Sequence, residues 1–412
     1  MDNLTHSLIG ALWGEAAARL IPAVKSTLPP NTRRNLFVTL MVVGSNLPDL
    51  DILYTSFTDG KLGYLLHHRG HTHTVIGAVV AAILLLAVAL AWLHWRKVPA
   101  SREDTLWLAL CALFAPLLHI AMDAANSYGV HPFWPFDNDW FYGDSIFIVE
   151  PLFWATAAPL VFVLQSRMAR TVVALILVIG ILLSFGTGLV PRPLAFALTL
   201  LTATLLCIGW CMSERVAVLS GLSVAVAVFG MFLFTGQLAR TEVVRLANSG
   251  YADAVLLDAV LTPMPVNPLC WETILVQLHE DEYTLRRAIF ALAPQWLPSA
   301  QCPSRTPTSA AADFRQVALA GSAALQWYGE ITMSRAELQT VIRDNCEAAA
   351  LTRFARALWL GRRGEQRLMG DLRFYSEAGS GLADLLLSPQ PARCPQHVPP
   401  WTPPRSDVLE PP

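Results

Sequence analysis

Residues 67–95 read H-H-R-G-H-T-H-T-V-I-G-A-V-V-A-A-I-L-L-L-A-V-A-L-A-W-L-H-W. From Thr74 to Trp95 there is no aspartate, glutamate, lysine or arginine. About 20 apolar residues suffice for a helix to cross the hydrocarbon core, so 74–95 reads as a membrane span. The seven residues just before it carry four of the chain's ten histidines. A metal-ligand chemistry therefore abuts a membrane-spanning helix.

Similar apolar runs follow at 105–123, 149–166, 171–189, 193–212 and 216–237. Two weaker ones precede, at 4–21, which contains His6, Glu15 and Arg19, and at 36–50, which is short. The fold expected is mainly α: a polytopic transmembrane helical bundle of about six to eight spans over residues 1–238. A soluble, extramembrane α+β domain follows over 239–412. Composition agrees, since the 412 residues are 54% hydrophobic and 15% charged, against about 25% charged in soluble chains. The net charge of −2 argues against a nucleic-acid partner, which calls for a basic excess. The start, M-D-N-L-T-H-S-L-I-G, lacks the basic opening of a cleavable signal, so the first spans are expected to direct insertion.

Lysine and arginine placement sets orientation. With eight crossings and the N-terminus outside, the inside loops hold nine (Lys25, Arg33, Arg34, Arg96, Lys97, Arg102, Arg167, Arg170, Arg215). The outside loops hold three, Lys61, Arg69 and Arg192. The C-terminal domain then faces outward, away from the cytoplasm. Its cysteines, Cys270, Cys302, Cys346 and Cys394, can pair there, in three complete connectivities. Cys111, Cys207 and Cys211 lie in apolar stretches and read as inert thiols.

The same orientation brings four separate blocks to the outer face. His6 opens the first segment, beside Asp2 and Thr5. S-N-L-P-D-L-D at 45–51 ends the second with Asp49 and Asp51. The block 67–74 supplies His67, His68, His71 and His73. It also supplies Arg69, a planar cation suited to phosphate or carboxylate, and Gly70, where the chain is expected to turn. H-I-A-M-D at 119–123 places His119 and Asp123 on one helix face, at a span end where ionisable groups are costly and usually functional. A fifth stretch, 126–151, has no lysine or arginine and is dense in Trp, Phe and Tyr. Such residues favour the membrane interface, and Asp137, Asp139, Asp144 and Glu150 are candidate acids within it. Mixed histidine and carboxylate ligands suit zinc, manganese or iron, and six or more of them suggest two ions.

Together the blocks resemble the membrane-bound metal-dependent hydrolase family, also called the LexA-binding, inner-membrane-associated hydrolases. Its pattern looks like T-H-x-x-x-G, P-D-x-D, H-R-G-x-T-H-S and H-x-x-x-D-x-x-N-x-x-G. The matches are Thr5, His6 and Gly10; Pro48, Asp49 and Asp51; His68, Arg69, Gly70, Thr72 and His73; and His119, Asp123, Asn126 and Gly129. Thr74 replaces the usual serine, Glu150 stands where an aspartate is expected, and His71 falls on a variable position. The likeness covers about residues 1–155. The stretch 262–272 resembles the start of the extramembrane tail of longer members. The order of the ligands is also similar to that of zinc-dependent phospholipases C.

The expectation is a hydrolase acting on a membrane lipid or other membrane-associated small molecule, with a phosphoester as the bond cut. Its cofactor would be a divalent ion, zinc or else manganese or iron, with water activated by the cation as nucleophile. His6, Asp49, His68, His73, His119 and Asp123 would be the ligands. Asp51 would be a ligand or general base, and Arg69 would hold the anion. Two other readings compete: a non-enzymatic protein with a structural or sensory metal site and a partner-binding C-terminal domain, and a transporter relaying protons through His119 and Asp123. Ionisable groups at span ends rather than mid-membrane weigh against transport. In the C-terminal part, 254–260, 272–279, 354–360 and 367–375 read as strands. Ser334 reads as the N-cap of a helix over 335–343, with Glu337 in a capping box. The proline-rich tail from Pro389 reads as disordered or wrapped on the surface.

Overall fold

A computed structural model of the chain describes residues 1–55, 57–304, 314–317, 319–375, 381–388 and 393–409. The first helix, α1 (Asn3–Leu20), starts where the Asp2 side chain accepts the Thr5 N–H. α2 (Pro30–Gly44) returns antiparallel to it. A 3-10 turn (Pro48–Leu50), α3 (Asp51–Thr55), α4 (Gly60–His67) and a second 3-10 turn (His71–His73) carry the chain across one end of the bundle. Thr74 then caps α5 (Val75–Trp95). A complete Ser101–Asp104 capping box starts α6 (Arg102–Ala124). After the aromatic stretch come α7 (Pro151–Thr156), α8 (Leu160–Val163), α9 (Arg167–Gly186), α10 (Arg192–Cys211) and α11 (Glu214–Gly250).

Five of these helices, α5, α6, α9, α10 and α11, are long and apolar enough to cross a membrane. The sequence led to an expectation of six to eight. The segment 149–166 is not one helix but the short pair α7 and α8, broken at Ala157–Pro159. α1 and α2 are less apolar because much of their surface faces protein: Leu8, Leu12, Phe37, Leu40 and Met41 are all core residues. Glu15 is buried among Arg19 and Arg34, and Arg19 reaches Glu214 at 2.6 Å. Arg34 also donates to Val163 O at 2.7 Å. These contacts gather the ends of α1 and α8 and the starts of α2 and α11 at one end of the bundle. His6, Asp49, His73 and Asp123 gather at the other.

α11 is 37 residues long, about 55 Å at 1.5 Å per residue, and so outruns a hydrocarbon core of about 30 Å. Its last turns pass Ala239, Val243 and Ala247 into the core of a four-stranded antiparallel sheet beside Trp271 and Phe290. The sheet order is β1 (Val255–Met264), β2 (Asn267–His279), β3 (Glu282–Ala291), β4 (Leu325–Ser334). Strands β3 and β4 were not read from the sequence. Ser334 caps α12 (Arg335–Asp344) as expected, accepting from Glu337 N–H. α13 (Cys346–Leu351) leads to the antiparallel strands β5 (Leu358–Arg363), β6 (Gln366–Asp371) and β7 (Leu385–Leu387), and α14 (Ser406–Leu409) closes the described chain. Disulfides join Cys270 to Cys302 and Cys346 to Cys394.

The tail is not free. Trp401 is fully buried, its indole N–H bonded to Leu66 O at 2.8 Å, and Arg353 holds Trp401 O at 2.7 Å. The β1–β2 turn also docks on the bundle. Val266 N–H donates to both Glu150 oxygens, at 3.1 and 3.0 Å.

Candidate metal centre

Four elements deliver the candidate ligand side chains. The start of α1 brings His6, the turn after α2 brings Asp49, the H-R-G-H-T-H loop brings His68 and His73, and the end of α6 brings His119 and Asp123. All six are buried. Asp49, His73, His119 and Asp123 each offer a ligand atom within 4.8 Å of the others, and Asp49, Asp51 and His68 form a second such group. Asp49 belongs to both. His73 Nε2 lies 3.3 Å from Asp49, 3.3 Å from Asp123 and 3.0 Å from His119 Nε2. His6 Nε2 is 3.2 Å from Asp123, and its ring stacks on His119 at 3.8 Å.

The surrounding hydrogen bonds fix which nitrogen faces inward. His119 Nδ1 donates to Ser45 O at 2.7 Å, so the Nε2 lone pair of the neutral ring points into the cluster. His68 Nδ1 donates to Asp51 at 2.9 Å and leaves its own Nε2 free to ligate. Asp51 also accepts from Arg69 N–H and the Thr72 hydroxyl, each at 2.9 Å. Burial pushes the Asp51 carboxyl up, but hydrogen bonds from His68 and His73 outweigh it and hold it below the ordinary range. Asp49 behaves alike: burial is outweighed by His119 and His73, and it stays charged. His68 is pushed down by burial, against the pull of Asp51, and so favours the neutral, ligating form.

This donor set fits a divalent cation. Asp123 Oδ2 is buried and accepts no hydrogen bond from the protein, although two imidazoles and Arg69 Nε surround it. Two buried carboxylates, with histidines whose inward nitrogens cannot all carry protons at contact distance, form a cradle for positive charge. The Met1 amine indeed lies against Asp123.

Arg69 is buried in the centre. Its Nε lies 3.0 Å from Asp123, its NH1 donates to Asn126 at 2.8 Å, and its guanidinium sits 4.8 Å over the Tyr128 ring. The turn is made differently from expectation. Arg69 itself takes the left-handed φ of 62°, and Gly70 does not. Gly70 is needed for closeness: a Cβ there would meet His67 O at 2.8 Å and Trp401 at 3.1 Å.

Other candidates lie elsewhere. His71 packs against Trp134 and Trp401, and His67 donates to His397 O. Asp144 pairs with Arg356 and Arg240, and Asp137 accepts from Asp139 N–H at the surface. Glu150 caps α7 and anchors Val266, accepting from the N–H groups of Leu152 and Val266. Ser45 and Tyr128, which position His119 and Arg69, were missed. Ser45 acts through its backbone carbonyl, which leaves no mark on sequence.

The fold and the centre define a membrane protein with a buried histidine–carboxylate cluster at one end of its helices. Residues 1–214 match the YdjM inner membrane protein family, and the chain belongs to that family. It is also 30% identical over 140 residues to the uncharacterized protein YfhP of Bacillus subtilis (strain 168), covering 34% of this chain and 39% of that protein. The chain therefore aligns with well under half of that relative's length. No solved structure matches it.

Proposed function

We propose that the chain is a metal-dependent hydrolase of a membrane-associated phosphoester. The observation that carries this reading is the pair of ligand groups sharing Asp49. A shared carboxylate can bridge two ions, and zinc, manganese and iron all suit the mixed donors. A bound divalent cation supplies Lewis acidity and lowers the pKa of water. The chain's own residues do the rest. Asp51 and Ser45 orient the imidazoles, Asp51 also standing with Asp49 and His68 in the second ligand group, and Asp49 and Asp123 supply negative charge. Arg69, fixed by Asn126 and Tyr128, is the cation that an anionic substrate group would meet.

The reading includes a topology: eight crossings counting α1, α2 and the broken α7–α8 segment, and a periplasmic C-terminal domain. The lysine and arginine bias and the two disulfides support it, since disulfides persist in oxidising compartments. Reporter fusions after Ala239 should be active outside the cytoplasm.

The test is metal analysis and hydrolysis of bis-p-nitrophenyl phosphate on the same purified protein. His73→Ala should lose bound metal and about 100-fold or more in rate. Wild-type protein that binds zinc tightly but cleaves no phosphoester would leave a structural or sensory metal site instead.

A further inference from the structure

A cavity of about 1030 Å³ opens on another face of α6, between α6, α11, residues 139–145, β1 and the tail at 402–406. Its volume is that of a site for a drug-sized molecule, about 300–1,000 Å³, and far exceeds the needs of an ion. One side is apolar: Ala121, Phe229 and Leu233, in two helices that can cross a membrane. Leu233 is 40% exposed. Trp140 and Tyr142, from the aromatic stretch, continue the wall.

The other side is cationic, with Arg240, Arg356 and Arg405. Arg356 is fully engaged, bidentate to Asp144 at 2.7 and 2.8 Å and to Asp258 at 2.8 and 3.1 Å. Arg240 lies 3.2 Å from Asp144 and 3.5 Å from Asp258, yet 41% of its side chain stays exposed. Arg405 donates Nε to Pro404 O and keeps only long contacts, 3.5 Å to Asp258 and 3.6 Å to Asp407. Its NH1 is buried without a hydrogen-bond partner, as is the Tyr142 hydroxyl. Buried donors nearly always find an acceptor. Three arginines stand with two largely buried acids, Asp144 and Asp258, and with two exposed ones, Asp139 and Asp407; of the three, Arg240 keeps the most exposed side chain for a further anion.

We propose that this cavity binds a phospholipid with a net negative headgroup, its acyl chain along Ala121, Phe229 and Leu233 and its head at Arg240, Arg405 and Tyr142. The position explains the mixture of walls. The apolar part belongs to membrane-crossing helices and the arginines lie just beyond them, where a headgroup sits. The site is separate from the metal centre and does not depend on the hydrolase reading.

The test is native mass spectrometry of the full-length protein released from nanodiscs of phosphatidylcholine containing phosphatidylglycerol. Wild type should retain one phosphatidylglycerol in preference to phosphatidylcholine. Arg240→Ala should weaken retention about tenfold, the loss of one charge-assisted contact. Leu233→Trp, at an exposed position, should fill the apolar end and abolish retention while zinc content is unchanged. Equal retention of both lipids, or a Leu233→Trp variant that holds phosphatidylglycerol like wild type, would overturn the proposal. So would displacement of the lipid by millimolar inorganic phosphate, because the apolar wall would then contribute nothing.

Discussion

Asp51 accepts from His68, Arg69 and Thr72 at once, and this occupation bears on what it can do. A carboxylate with both oxygens committed to one loop holds that loop in place and is poorly placed to take a proton from water. Replacing it with asparagine keeps one acceptor, loses the charge and turns part of the group into a donor facing N–H and O–H. Asp51→Asn should weaken zinc binding about 10–100-fold, as loss of a partner of a ligating histidine does. Competition against a fluorescent chelator would measure it. Unchanged affinity with lost hydrolysis would point back to the general base read from the sequence. The residues of the cluster were legible as candidate ligands because histidine and aspartate at span ends are costly enough to need a reason. The groups that orient them were less so. Ser45 uses its main chain, and the left-handed turn sits on an arginine rather than on the neighbouring glycine.

Elements position those residues through close helix packing. G-A-L-W-G at 10–14 puts two glycines one turn apart on α1, the small-residue spacing that lets membrane helices approach. A Cβ at Gly10 would meet Met41 O at 2.7 Å, and one at Gly14 would meet Val38 Cα at 2.6 Å. Gly14→Leu should therefore destabilise the protein by about 1–3 kcal/mol. It should also lower metal content, because α1 carries His6. Thermal unfolding in detergent together with zinc analysis would show it, and a variant with wild-type melting and metal would sink the account. The strongest spans were readable from apolar length alone. The break at Ala157–Pro159 was not taken from the apolar run, although Pro159 marks it. In the C-terminal part β3 and β4 were missed. β3 mixes buried arginine with apolar residues, and β4 alternates in its burial only from Gly329 to Ser334, after the irregular start L-Q-W-Y.

At the level of the molecule, the sequence allowed any pairing of four cysteines, and the fold chose Cys270–Cys302 and Cys346–Cys394. The second bond closes a separation of 48 residues and lies just before the tail segment that holds Trp401. Loop-closure entropy makes such a bond worth about 4 kcal/mol in the chain-entropy account. Cys394→Ser should lower the unfolding temperature and expose the segment after residue 392 to protease, while the four ligand-bearing elements, which lie in residues 1–124, stay protected. Resistance of the tail equal to wild type would show that Trp401 alone pins it. The tail has a further consequence, one of timing. Every candidate ligand has been synthesised by residue 123, whereas the indole that packs against Gly70 arrives at residue 401. Synthesis runs from the N-terminus, so the histidines stand uncovered while the sheet folds and its cysteines oxidise. An ion taken up by this cluster would meet it open in an early window of biogenesis, and the wall over the H-R-G loop goes up last.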